Sequence, residues 1–540
     1  MTAPIDRREF LVSTGAAVAG GWAAVSLAAD ERPEAPAKGL PFRVSKETTY
    51  ITEPLRPDGS PDYVAYLDAT MSRGITPENN AAVLYLKAIG PGEIPEEKRA
   101  AFFAKLGIDP LPAEGKYIDG RFGAPFPDLP DLTPGSDWQR FEKAFDRAGE
   151  SPWKSADLPA IARLLEHNAE ALRLIVEGTK RPEYYLPLFD APPDAVSPLA
   201  GEGFFPHLIG DLRSAVRLLV RQAMLHIGEG RTAEAMDDLL ACHLLARHVA
   251  RRSFLVDRLI GTAFEQIARS GDVALAQQGG LSADELRGFG ARLADLPPFP
   301  PIIDVYMHGE RCFQLDFTIG LSRGGRGMLK GYEFLWDRDT VERVQDLLAN
   351  TDLDWNASLI RINELHDALA DATRIESRAA RRVAVGRIDR ENEKRMQAAR
   401  VELERIVDRK AVPARVSKAF TEVVVSDVMM TSSFLTAEDR RDAQFDLARI
   451  AVALAAHRAE HGRHPASLAD LAPKQIAAIP DDLFREKPQP PVYRPNDDGT
   501  GYVLYSVGPN GKDDDARTIG DEPAGDDLVI RNLPSMAVEP

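Results

Sequence analysis

The stretch from Leu212 to Pro298 constrains the fold most tightly. Leu212, Val216, Leu219, Val220, Ala223 and Ile227 recur at the spacing of one helical face until Gly228-Glu229-Gly230 breaks the run. Thr232 opens a second helix through Ala250, in which Leu239, Leu240, Cys242, His243 and Ala246 share the apolar pattern. A third helix follows to about Ala276. Ser282 and Glu285 then form a capping-box signature for a fourth, which carries Leu286, Phe289, Leu293 and Leu296 up to Pro297-Pro298. Amphipathic helices joined by short turns must bury their apolar faces against one another, so the fold class is mainly α.

The order helix, Gly turn, helix resembles tetratricopeptide-type hairpins, which stack pair on pair and leave a concave face for partners. No strict repeat period is present, and an irregular helical bundle fits the same pattern. The body spans 207–435, preceded by a helical region at 61–206 with Pro-rich loops. Tyr63, Tyr66 and Leu67, then Val83 to Leu86 after Pro77, predict two helices between Pro61 and Gly90. Prolines recur from Gly107 to Pro134 and from Pro182 to Pro206, which reads as two surface connections. The segment from Trp355 to Pro413 is heavily charged, with sparse apolar positions at Leu359, Ile362, Leu365, Leu369, Met396, Leu403 and Ile406. It predicts one or two long solvated helices. The Gly-rich basic stretch Gly320–Gly331 lacks a Gly-Lys-Ser/Thr entering a helix, so it reads as a loop rather than a phosphate cradle.

A formal net charge of -17 leaves no broad basic face, which argues against nucleic acid as a partner. The two cysteines, Cys242 and Cys312, cannot supply a disulfide framework, and Cys242 falls on an apolar helix face as a buried thiol. At the amino terminus Arg7-Arg8-Glu9-Phe10-Leu11 precedes a small-residue apolar stretch from Val12 to Ala28. This resembles a twin-arginine export signal at 1–28. The expectation is an exported chain, periplasmic or extracellular, with no stable membrane span after cleavage. Residues 29–60 are rich in Pro, Gly and charge and are expected to form a mobile linker.

Thr436 and Asp439 are expected to open the last long helix, with Leu447, Ile450, Ala451, Leu454 and Ala455 on one face. Gly462 stops it and Pro465 follows. A short helix at Ser467–Leu471, a loop at Ile479–Asp482 and two antiparallel strands around Tyr493 and Tyr502–Val507 complete the pattern. Gly462-Arg463-x-Pro465, Leu468, Leu471, Pro480-x-Asp482, Tyr493-Arg494 and Tyr505-Ser506-Val507-Gly508-x-Asn510-Gly511 resemble the soluble carboxy-terminal domain of type II secretion system major pseudopilins. The resemblance implies a small α+β module at 436–531, followed by a tail at 532–540. It also implies a strand-flanking loop that binds calcium. Leu483 stands where that family often has Pro, and the family's long apolar amino-terminal helix and prepilin peptidase site are absent. Filament assembly is therefore not carried over.

The residues point to the same ion. Asp513, Asp514, Asp515, Asp521, Glu522, Asp526 and Asp527 crowd together with Arg517 as their near counter-charge. A hard cation with several oxygen ligands relieves such repulsion; a solvated acidic turn is the plainer reading. The expected calcium ligands are Asn510, Asp513, Asp526 and Asp527. A competing pattern lies on the preceding helix, where His457-x-x-Glu460-His461 matches the H-x-x-E-H arrangement of inverted zinc metallopeptidases. Its third acidic ligand would have to be Glu539. His226, His243 and His248 show no matching acid or Cys constellation in the sequence. The reading is an exported binding or scaffolding protein for a protein or peptide partner; the alternative is an exported zinc-dependent hydrolase.

Overall fold

The computed structural model describes residues 39–92, 94–119, 138–188, 199, 206–278, 280–323, 338–407, 412–425 and 431–532. The expected leader, the Gly-rich loop beyond Arg323, most of both Pro-rich connections and Glu539 lie outside the described residues. Sixteen helices and one small sheet make up the described part, which is mainly α as expected. The helices are α1 (Tyr63–Met71), α2 (Ala81–Ile89), α3 (Glu96–Lys105), α4 (Trp138–Glu150), α5 (Pro159–His167), α6 (Ala169–Thr179), α7 (Pro206–Gly228) and α8 (Thr232–Val249). They continue as α9 (Leu255–Gln278), α10 (Ala283–Ala294), α11 (Glu310–Leu321), α12 (Arg338–Ala349), α13 (Trp355–Thr373), α14 (Arg378–Ile406), α15 (Pro413–Val425) and α16 (Thr431–His461). A π-helical turn at Val305–Gly309 runs directly into α11.

The periodic stretch folds as its spacing requires. Leu219, Leu239, Phe264, Phe289 and Leu293 are fully buried in one core built from α2 to α10. Ser282 caps α10 with both halves of the capping box present, a motif that satisfies two otherwise orphaned helix-end N–H groups. A second core joins α1, α11 and α13 to α15 through Tyr63, Tyr306, Leu315, Leu359, Leu403 and Phe420. The long charged segment is thus two helices, α13 and α14, and its sparse apolar positions supply one packed face while the rest is solvated.

α16 links body and carboxy-terminal module. Val452 and Ala456 pack into the first core, while Leu447, Ile450, Ala451 and Leu454 pack against the sheet. The small residues of this helix let it be covered on both sides. The sheet has strand order β1 (Val492–Pro495), β2 (Tyr502–Ser506), β3 (Leu528–Asn532), antiparallel throughout, with Tyr493 opposite Leu504 and Leu504 opposite Ile530. Tyr502 and Leu504 alternate onto the face that meets α16.

Four local expectations are corrected. Residues 39–60, expected within a mobile arm, pack onto the body: Phe42 and Ile51 are buried, and Asn363 Nδ2 donates to the Glu47 and Thr48 carbonyls at 3.0 and 2.9 Å. Two apolar anchors and one buried amide suffice to fix a segment whose average composition is polar. α16 begins at Thr431 rather than Thr436, and Asp439 serves as a partner for Arg378 and Arg382 of α14 instead of as a cap residue. The short helix is a 3-10 turn, Leu468–Leu471, capped by Ser467 and Asp470. A third strand, β3, adds to the two expected. Among the described residues no helix is long and apolar enough to cross a membrane.

Candidate functional site

The acidic loop is positioned by two buried devices at the end of β2. Asp482, buried in the loop before β1, accepts the Ser506 hydroxyl at 2.6 Å and the Val507 and Phe484 N–H groups at 2.9 and 3.1 Å. Gly508 follows with φ +68, and a Cβ there would stand 2.1 Å from the Asp526 carbonyl oxygen. Only glycine permits both that backbone conformation and that approach. The chain before β3 is thereby laid directly across the chain after β2.

This crossing brings Asp514, Asp526 and Asp527 together, with one carboxylate oxygen of each lying within 4.8 Å of the others. Asp526 and Asp527 were expected there; Asp514 takes the place expected for Asp513. The Asp513 carboxylate accepts the Tyr505 hydroxyl at 2.9 Å and the Asp515 N–H at 3.0 Å, which turns it toward the sheet. Asn510 holds Asp514, with its Nδ2 donating to Asp514 Oδ2 at 2.9 Å and its Oδ1 accepting the Lys512 N–H. Asp527 is buried and accepts the Ala516 N–H at 2.8 Å. Asp526 Oδ2 accepts the Asn510 N–H at 3.0 Å, whereas its Oδ1 is buried without a partner.

Burial, helped by the neighbouring Asp514 charge, pushes the Asp526 and Asp527 carboxyls up. Arg440 on α16 acts on Asp526 in the opposite sense. Hydrogen bonds from Asn510 and the Asp526 N–H hold Asp514 low. Three converging carboxylates with one orphaned oxygen form a donor set suited to a hard divalent cation. Calcium fits these residues better than zinc, which favours nitrogen and sulfur ligands.

The H-x-x-E-H pattern has a different geometry. The His457 and His461 rings stack with centroids 4.2 Å apart, and their Nδ1 atoms face the carbonyls of Arg463 and His457 at 3.1 and 3.0 Å. Glu460 points elsewhere. It is bonded to Lys474 and Gln475 and pairs with Arg287 at 3.2 Å, and the first two of these contacts hold its carboxyl down at about 2. Among the described residues no metal-competent group forms around the two imidazoles.

The body's histidines have acidic and phenolic partners on neighbouring elements that sequence reasoning missed. His243 Nδ1 lies 3.0 Å from Glu265 and its Nε2 2.9 Å from Asp272, all three fully buried. Burial disfavours the imidazolium, but Glu265 and Asp272 outweigh it and raise His243 to about 9. Burial likewise opposes charge on Glu265, yet His243 and Arg247 hold it at about 2. His226 pairs with Asp238 at 3.0 Å, and His248 Nδ1 meets the Tyr85 hydroxyl at 2.7 Å. The two acids facing His243 sit seven residues apart on α9, two helical turns on one face, a spacing that could have flagged them. Comparisons with family models, with curated proteins and with solved structures found no match to this chain.

Proposed function

We propose that this chain is an exported binding or scaffolding protein whose carboxy-terminal module is pseudopilin-like and is ordered by calcium. The observation that carries the reading is the convergence of Asp514, Asp526 and Asp527 around the buried, unpartnered Oδ1 of Asp526. Asn510 orients Asp514, and the cation neutralises a crowd of carboxylates that otherwise repel one another. The helical body supplies the surface for a protein or peptide partner. The export part of the reading rests on the Arg7-Arg8 leader alone.

The module's place in the fold supports a fixed, scaffolding role. α16 is covered by the body on one side and by the sheet on the other, which leaves it no free apolar face for joining a filament. The test is calcium-dependent stability. At a hundredfold excess over its Kd, a bound ion adds about 2.7 kcal/mol to the state that binds it. The wild-type module is expected to gain thermal stability with calcium, and Asp526→Asn with Asp527→Asn to lose that gain. An equal response in the double variant counts against the site.

A further inference from the structure

Two irregular backbone segments converge on one polar cluster at the margin of the second core. Tyr50 has φ +61, and the Ile51 N–H donates to the Thr49 carbonyl at 2.6 Å. This is a γ-turn with positive central φ, which is rare and strained, the more so for a bulky residue. The turn is held from outside: the Tyr63 hydroxyl donates to the Thr49 carbonyl at 2.8 Å, and Asn363 ties down the two preceding carbonyls. Facing it, the π-helical turn carries Met307 and His308 to a half-exposed position, and such turns recur at functional sites.

Tyr66 of α1 joins the two segments. Its hydroxyl lies 3.3 Å from His308 Nδ1, and both Tyr66 and Tyr50 pack against the second core. Beneath them the Arg311 guanidinium lies 4.4 Å from the Tyr50 ring centroid. The Arg311 side chain is 2% exposed, its Nε has no partner, and its Nη2 reaches 2.5 Å to Asp367, which is 63% exposed. Close packing accounts for the π-turn, since a Cβ on Gly309 would stand 1.6 Å from the Ser253 carbonyl oxygen. Tyr50 also packs, partly buried, against the second core, and its strained conformation puts a phenol over the buried cation.

We propose that Tyr50, Tyr66, His308 and Arg311 form a binding site for a carboxylate, with Asp367 as its intramolecular stand-in. Arg311 is the buried cation of the cluster, and a guanidinium presents paired donors that match the two oxygens of a carboxylate. The phenols stay protonated because burial raises both, Tyr66 to about 12, and burial keeps the His308 imidazole neutral. They add hydrogen-bonding groups without adding charge. Asp367 enters from the solvated rim as the exposed half of the pair, so another carboxylate can replace it without unburying Arg311. The occupant is a peptide carboxylate. This names a ligand chemistry for the binding role proposed above and is independent of the calcium site.

The test is a titration of the full chain at constant pH with triglycine, triglycine amide and N-acetyl-aspartic acid amide. The readout is the His308 C2–H resonance, assigned by its loss in His308→Gln. A saturable shift with triglycine and none with its amide is expected; a shift with the aspartyl probe as well extends recognition to acidic side chains. Asp367→Asn is expected to tighten the response by at least roughly twofold, because the ligand carboxylate no longer competes with Asp367 for the buried guanidinium. Tyr50→Gly is expected to abolish it while the chain stays folded, since released backbone strain offsets part of the lost packing. Absence of any saturable shift in both wild type and Asp367→Asn overturns the proposal, as does an equal response to the amide. A folded Tyr50→Gly chain that keeps the wild-type response to triglycine would likewise overturn it.

Discussion

His243 of α8 lies 2.9 Å from Asp272 of α9 through its Nε2, with both side chains fully enclosed. Its other ring nitrogen faces Glu265, which also receives Arg247 at 2.8 Å. Removing one member of such a buried network leaves the others charged and unpaired, which costs about 3–5 kcal/mol. His243→Leu is therefore expected to lower unfolding stability by about that amount in urea titration. A loss under about 1 kcal/mol would mean that water or neutralised acids already relieve the site.

Glu310 gives a pH dependence of definite sign. It is buried, accepts the Leu255 N–H at 2.8 Å, and is raised from 4.5 to about 7 by burial, with nearby Asp257 adding to the rise. A carboxyl with a raised folded-state pKa binds its proton more tightly when folded. Its contribution is complete below about pH 4.5 and is lost as pH rises through 7. The swing is on the order of 3 kcal/mol. Glu310→Gln keeps an acceptor for Leu255 and is expected to flatten the fall in thermal midpoint between pH 5 and pH 8. Parallel curves for variant and wild type would contradict this.

Asp482 anchors its loop to the end of β2 through the Ser506 hydroxyl and the adjoining Val507 N–H, and turns the loop itself through the Phe484 N–H. Asp482→Ala leaves the Val507 and Phe484 N–H groups without that acceptor, at about 1–3 kcal/mol for each buried group. The expected outcome is faster hydrogen exchange at Val507 and across β2, with the amides of α8 and α9 unchanged. Uniform acceleration throughout the chain would mean that module and body unfold as one unit.

Gly508→Ala tests the crossing itself. The substitution meets both a positive φ and a carbonyl oxygen 2.1 Å from the new Cβ, so the strands must separate locally. A loss of at least about 2 kcal/mol is expected in the module, together with loss of its calcium response. Wild-type calcium binding in this variant would place the ion away from Asp526.

The helices of the body were legible because their apolar spacing and caps are local: Ser282 with Glu285, and the Leu212–Ile227 face, hold in the structure. Asp513 and Asp514 could not be told apart in the same way. Their difference arises from the Tyr505 hydroxyl and from Asn510, one across the sheet and one across the loop. β3 was missed because Leu528-Val529-Ile530 is a short apolar run beside an acidic cluster, and its pairing with β2 is a long-range fact. The spacing of Glu265 and Asp272 puts both on one face of α9, but that His243 is what they meet depends on how α8 packs on α9. The turn at Tyr50 was hidden for a related reason, since the contacts that impose its strain come from α1 and α13.

The most direct test of the central claim is calcium stoichiometry on the purified chain, by elemental analysis after dialysis against metal-free buffer and again after calcium is restored. One calcium per chain, lost in the Asp526→Asn, Asp527→Asn variant, is the predicted result. No retained calcium in the wild type, or stoichiometric zinc that depends on His457 and His461, would contradict it.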